Sequence, residues 1–348
     1  MERELIDMTK QDICSMYINE LEDYVNQHDW KKFRAKQIFE WIHKSHVRNA
    51  SDMTNLPKDM REVLEEDMVH VTEEVSQKSE ADGTIKFLYK MDDGQMIETV
   101  FMPYSYGNSI CISSQAGCAM GCRFCASTIG GCIRDLRAGE MLGQVYETMR
   151  ITGERISNVV VMGTGEPLEN YDNLIRFIKL LTDEKGYNLS TRNITVSSCG
   201  IVPKIRQLAE EDLPITFALS LHSADDEKRK SLMPIANRYT IQETLEACSY
   251  FFEKTGRRVT VEYSLMTGIN DSEEDAELLS KILKGRGFHV NLIPLNPVKE
   301  RDYKKSNPER IAKFKKILEK NRINSTIRKG MGRDIDAACG QLRRKYEG

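Results

Sequence analysis

From about residue 109 short apolar runs alternate with amphipathic segments, and that alternation leaves few folds open. "SICIS", "NVVVMG", "NITVSS", "ITFALSL", "RVTVEYSLM", "HVNLIPLN" and "STIRK" occupy strand positions. Between them lie "GEMLGQVYETMR", "NLIRFIKLLT", "VPKIRQLAEE", "IQETLEACSYFFEK", "AELLSKILK" and "PERIAKFKKILEK", which carry helical periodicity. About six βα units with nearly all-apolar strands predict a parallel α/β sheet buried on both faces, either a curved partial barrel or a doubly wound sheet. Reactive groups in such a sheet belong at the C-terminal strand ends. The polar and glycine residues fall there: "SSQAGC", "GTGEP", "SSCG", "SLHS", "TGIND" and "NPV".

Upstream, residues 1 to about 70 read as a small helical module. "DWKKFRAKQIFEWIHKS" places Phe33, Ile38, Trp41 and Ile42 on one face, and "SDMTNLPKDMREVLEEDM" predicts a capped helix with Leu64 and Met68 inward. Residues 71–108 hold two alternating segments, "TIKFLYKM" and "QMIETVFMP", joined by the turn Asp92 to Gly94, which predicts a β-hairpin. The core follows over 109–330, and 331–348 form a C-terminal tail. At 348 residues, 40% apolar, 30% charged and net charge −3, the chain has the composition of a globular enzyme. A charged N-terminus and the lack of any apolar run of about eighteen residues predict a cytoplasmic protein with no membrane span. Nine cysteines in a reducing compartment are expected as buried thiols, metal ligands or catalytic thiols. Basic patches at "KKFRAK", "RKGMGR" and "RRK" are candidate nucleic-acid contacts.

The sharpest chemical signal is "GCAMGCRFCAS", with Cys118, Cys122 and Cys125 just after the first core strand. Three close thiolates suit zinc or an iron-sulfur cluster, but structural zinc wants four protein ligands, usually in two separated pairs. The spacing, with Phe124 before the last cysteine, resembles the cluster loop of the radical S-adenosylmethionine enzymes. That resemblance implies one 4Fe-4S cluster with an open iron that chelates S-adenosylmethionine, and a partial (β/α)6 barrel. Gly165 and Glu166 in "GTGEP" look like the superfamily's glycine-rich strand end. A glycyl-radical activase and an RNA-binding protein with structural zinc are the competing readings at this level.

Taken in order, "SSQAGCAMGCRFCAS", "GTGEPLENY", "SLHSADDEKRKSLMPI", "LIPLNPV" and "DIDAACGQL" resemble the RlmN family of radical-dependent RNA methyltransferases nearly end to end. The resemblance implies methylation of adenine carbon 2 in 23S ribosomal RNA, at the peptidyl-transferase centre, and in transfer RNA next to the anticodon. The related Cfr type methylates carbon 8 of adenine in 23S ribosomal RNA, and "QAGCAMGC" leans toward RlmN. Further implications are two S-adenosylmethionine molecules per turnover, a low-potential electron donor such as flavodoxin, and a monomer. By the same resemblance Cys339 is methylated and then carries a methylene onto the adenine, Cys111 resolves the adduct through a transient disulfide, and Glu98 accepts the ring proton. Gly165, Glu166, Ser197, Ser220, Leu221, His222 and Asn296 would hold the cofactor, with Ser, His and Asn as hydrogen-bonding groups and Leu221 packing on the adenosyl moiety. Cys14, Cys132, Cys199 and Cys248 read as bystanders.

Overall fold

Hydrophobic burial by the predicted strands builds one continuous sheet. The computed structural model describes residues 11–328, 330–335 and 346, and among these the sheet has ten strands. The N-terminal module comes first, with α1 (Ile18–Gln27), α2 (Phe33–His43) and α3 (Lys58–Asp67). Ile38, Ile42, Leu64 and Met68 are buried as predicted, but Phe33 is 54% exposed, on the far side of α2. No side chain caps α3, whose N-terminus is set by Pro57 instead.

Next come β1 (Val71–Lys78), β2 (Ile85–Met91), β3 (Met96–Tyr104) and β4 (Gly107–Ile112), each antiparallel to the one before. The predicted hairpin is therefore β2–β3. It is joined to the core through β4 rather than standing apart as a separate linker. A small ladder of β5 (Gln115–Gly117) and β6 (Cys132–Asp135) interrupts the main sheet. Right-handed βα crossovers are the default way to continue a parallel sheet. The continuing elements are α4 (Ala138–Thr152), β7 (Ile156–Val161), α5 (Tyr171–Thr182), β8 (Ile194–Ser198), α6 (Val202–Ala209) and β9 (Thr216–Ser220). After these come α7 (Asp226–Leu232), α8 (Ile241–Thr255), β10 (Val259–Leu265), α9 (Glu273–Leu283), β11 (His289–Pro294), α10 (Pro308–Lys320) and β12 (Ser325–Ile327). The order β4-β7-β8-β9-β10-β11 gives the six parallel strands of the partial barrel, and the three-residue β12 adds a seventh. All seven residues of β10 are buried, as a sheet covered on both faces requires.

Helix α4 joins the modules. On its outer side Gly139 N donates to Ser15 Oγ at 2.7 Å, and Tyr146 Oη lies 3.2 Å from Nδ1 of the buried His43. On its inner side Gln144 donates to the Ser113 carbonyl and accepts from Ser113 N (3.0 and 2.8 Å). That side chain satisfies both backbone groups of Ser113 as the chain leaves β4, and so aims the loop that follows. Arg176 of α5 adds an ion pair to Glu20 of α1.

Candidate active site

The β5–β6 ladder frames the three-cysteine loop. Gly117, at φ +87°, lies so close to the opposite strand that a Cβ would stand 2.1 Å from the Gly131 carbonyl, so no larger residue fits. Cys118 N donates to that same carbonyl at 2.9 Å, Cys125 N to the Cys122 carbonyl at 3.1 Å, and Arg123 N to Leu232 O at 2.9 Å. Thr128 Oγ1 bridges the carbonyls of Cys122 and Cys125, each at 3.0 Å. The loop is thus held in place by its backbone.

Burial pushes the Cys118 thiol up to about 12 and raises Cys122 as well. Such thiols stay protonated until a cationic centre replaces the proton, and iron does that. Three cysteines also fall one short of the four protein ligands that close a structural zinc site.

Arg229 supplies a second sign of an anionic group. Its side chain on α7 is fully buried, with Nη2 donating to Cys199 O at 2.7 Å and Nε to Leu221 O at 3.2 Å. Nη1 is buried with no hydrogen-bond partner among the described residues, and the guanidinium lies within electrostatic range of Cys199 and Cys122. A buried cation with one unsatisfied edge beside these thiols fits a negatively charged cluster. The donor set and its surroundings therefore fit such a group, which Cys118, Cys122 and Cys125 would hold. When purified without oxygen the protein is expected to be brown, with about four irons and four sulfides per chain. Cys122→Ser should be colourless, and stoichiometric zinc in the wild type would contradict the assignment.

Strand ends complete the site. Gly165, at φ +112°, sits where a Cβ would stand 2.7 Å from Ser114 Oγ and from Gln115 Cβ. Glu166 is buried, and its carboxylate is already engaged: Oε2 accepts from Cys199 N at 2.8 Å and Oε1 from Leu168 N at 3.1 Å. It ties the end of β7 to the end of β8, and neither Gly165 nor Glu166 lines the cavity that holds Cys111 and Cys125. Ser197 and Ser220, at the ends of β8 and β9, have hydroxyls 3.4 Å apart. His222 takes a left-handed conformation (φ +57°), and its Nδ1 accepts from Ser264 N at 3.0 Å. The ring proton is therefore on Nε2. Burial, reinforced by Arg229, drives the His222 pKa down to about 3, so the ring stays neutral. Phe124 of the cluster loop meets it edge-on at 4.9 Å, joining the loop to β9.

Cys111, Cys125, Ser197, Ser220, His222 and Asn296 all line one cavity of about 350 Å³. Leu221 does not. It is fully buried and gives its carbonyl to Arg229. Glu98 is buried too, rather than the solvent-facing hairpin carboxylate its position alone suggests, and it pairs with the fully buried Lys86 at 3.0 Å. On β3 it lies two residues from Val100, which pairs with Cys111 across β3–β4. Cys339 lies outside the described residues. Earlier in the chain, Gly330 and Met331 line the cavity, and Asp334 accepts from Ser79 Oγ at 2.6 Å and from Glu80 N at 3.1 Å.

Three site residues escaped the reading of the sequence: Lys86, Arg229 and Glu262. Glu262 lines the cavity and is buried, with Oε1 accepting from Thr260 Oγ1 at 2.9 Å and Asn291 Nδ2 at 2.8 Å. A carboxylate inside the apolar run "RVTVEYSLM" was the available signal.

Comparison with known proteins agrees with this geometry. Residues 112–279 match the model of the radical SAM superfamily, and residues 11–69 that of the ribosomal RNA large subunit methyltransferase N-terminal domain. The chain is 55% identical over 339 residues to a probable dual-specificity RNA methyltransferase RlmN of Lachnoclostridium phytofermentans, covering 97% of this chain and 95% of that one. It is 56% identical over 337 residues to a protein of the same description from Lachnospira eligens, covering 96% of each. A solved radical SAM methyltransferase from Sphaerobacter thermophilus superposes with a TM-score of 0.91 at 41% identity, over 95% of this chain and 98% of that one. A cluster loop, a barrel and an N-terminal module, each matched in its own right, lead to one conclusion: the chain belongs to the RlmN family of radical S-adenosylmethionine RNA methyltransferases.

Proposed function

We propose that this enzyme methylates carbon 2 of adenine in 23S ribosomal RNA and transfer RNA in the cytoplasm, using Cys339 as methyl carrier. The observation that carries the reading is the cavity, which gathers Cys111 and Cys125 with the polar strand ends and with Met331 on the approach to Cys339. Asp334 is anchored five positions before Cys339, a span of at most about 18 Å.

Bound together, the cluster and S-adenosylmethionine would supply the methyl group and the radical chemistry, with two S-adenosylmethionine molecules used per turnover and a low-potential donor such as flavodoxin providing the electron. Cys118, Cys122 and Cys125 hold the cluster. Ser197, Ser220, His222 through Nε2–H, Asn296 and the backbone at Gly165 and Glu166 position the cofactor, and Leu221 shapes the wall from behind. Adenine carbon 2 is electron-poor and cannot attack a sulfonium, so the methyl group goes first to Cys339 Sγ, a good nucleophile as thiolate. Joined to carbon 2 as a methylene, it is released in two moves. Radical addition leaves an odd electron on the ring. A carboxylate oxygen of Glu98 takes the ring proton as that electron is lost to a one-electron acceptor, a role the oxidised cluster would fill, and Cys111 Sγ then attacks Cys339 Sγ. The carbon–sulfur bond breaks with its electron pair going to carbon, a proton completes the methyl group, and a Cys111–Cys339 disulfide remains for an external thiol to reduce. The test is the position of the new methyl group in digested RNA: carbon 2 supports the reading, and carbon 8, the Cfr outcome, overturns it.

A further inference from the structure

At the turn between β3 and β4 two tyrosine rings lie nearly parallel. Tyr104 and Tyr106 have centroids 4.9 Å apart and planes 10° apart. The pair bridges two environments, because Tyr104 lines the cavity while Tyr106 is 73% exposed, the most exposed large hydrophobic side chain among the described residues. A ring so exposed gains little from folding. It is nonetheless held flat against a partner that belongs to the site. Two basic side chains, Lys305 and Arg328, line the same cavity, and Arg328 lies within electrostatic range of Tyr104. Asp82, the nearby carboxylate, is engaged with the backbone N–H groups of Thr84 and Gly332 (3.0 and 2.9 Å).

We propose that Tyr106, supported by Tyr104, is a stacking platform for an unpaired RNA base flanking the target adenine, with Arg328 and Lys305 receiving the adjoining phosphates. An exposed aromatic face stacked on a residue of the site, with a cation close by, is the arrangement that binds single-stranded RNA, since every base offers a π-face and every linkage a negative charge. A target base drawn into the cavity leaves its neighbour unstacked at the mouth, and Tyr106 replaces the lost stacking surface. The inference rests on the RNA-methylation reading and adds to it the residue that takes the flanking nucleotide.

The test uses the full-length enzyme and an RNA stem-loop carrying the target adenosine, with 2-aminopurine at the nucleotide on either side. Binding of wild type should quench one of the two probes. Tyr106→Phe and Tyr106→Trp should preserve the quench, and Tyr106→Ala should abolish it. Loss of one base–aromatic stack corresponds to a KM for RNA raised by roughly 5- to 150-fold, with the smaller change in kcat. A quench retained in Tyr106→Ala, or an affinity changed by less than about twofold, would overturn the platform. Because the quench reads stacking without turnover, it decides the matter even if methylation falls on an atom other than carbon 2.

Discussion

Cys111→Ala is expected to convert the enzyme into a trap that stops with protein and RNA covalently joined. Cys111 lines the cavity, is 7% exposed, and belongs to β4 directly before the cluster loop. On the proposed mechanism, without its sulfur nothing attacks Cys339 Sγ, and the carbon–sulfur bond to the adenine has no route to break. Turnover should fall below about one methyl group per chain. A ribonuclease-sensitive, slowly migrating band on a denaturing gel should appear in its place, absent from a Cys111→Ala, Cys339→Ala double variant. Repeated turnover by Cys111→Ala would remove Cys111 from the reaction.

The second large effect concerns Lys86 and Glu98, an ion pair at 3.0 Å in which the side chains are 0% and 2% exposed. Removing one member of a buried pair leaves an uncompensated charge and costs about 3–5 kcal/mol, whereas replacing both by apolar or neutral groups of similar size is far milder. Lys86→Met should therefore lower the midpoint of thermal unfolding markedly, and Lys86→Met with Glu98→Gln should recover much of the loss. On the proposed mechanism the doubly substituted enzyme should still methylate Cys339 yet release RNA slowly, for want of the proposed proton acceptor. Equal stability of Lys86→Met and wild type would show that the pair is not energetically coupled.

What was legible in the sequence is what periodicity and spacing encode. Nearly all-apolar strands announced a sheet covered on both faces, whereas Ser197, Ser220, His222 and Asn296, which line one cavity, were named by the family resemblance. The cluster loop was readable because three thiols at fixed spacing have few other uses. Harder to see was anything that depends on what covers a face. β1 carries the polar run "VTEEVSQK", half of it exposed, and so offers little apolar signal. In "TIKFLYKM" the alternation suggests a solvent-facing Lys86, but that face of β2 is covered and the lysine is buried against Glu98. Arg229 sits in "DEKRKSL", which reads as a charged helix surface. Its burial follows from α7 packing across the ends of β8 and β9, a tertiary fact that no local pattern contains. Glu166 shows the converse, since its place in "GTGEP" suggested a ligand-facing carboxylate and the fold spends that carboxylate on two backbone N–H groups.

The most direct test of a Cys339-carried methyl group is to follow its hydrogens. With S-adenosylmethionine bearing a fully deuterated methyl group, Cys339 receives three deuterium atoms, one of which is removed before the carbon joins the adenine. A proton fills that place after the carbon–sulfur bond breaks. Mass spectrometry of the digested RNA should find a methyl group on adenine carbon 2 with two deuterium atoms and one hydrogen, and none at all from Cys339→Ala. A methyl group that arrives with all three deuterium atoms, or one made by Cys339→Ala, would contradict the account.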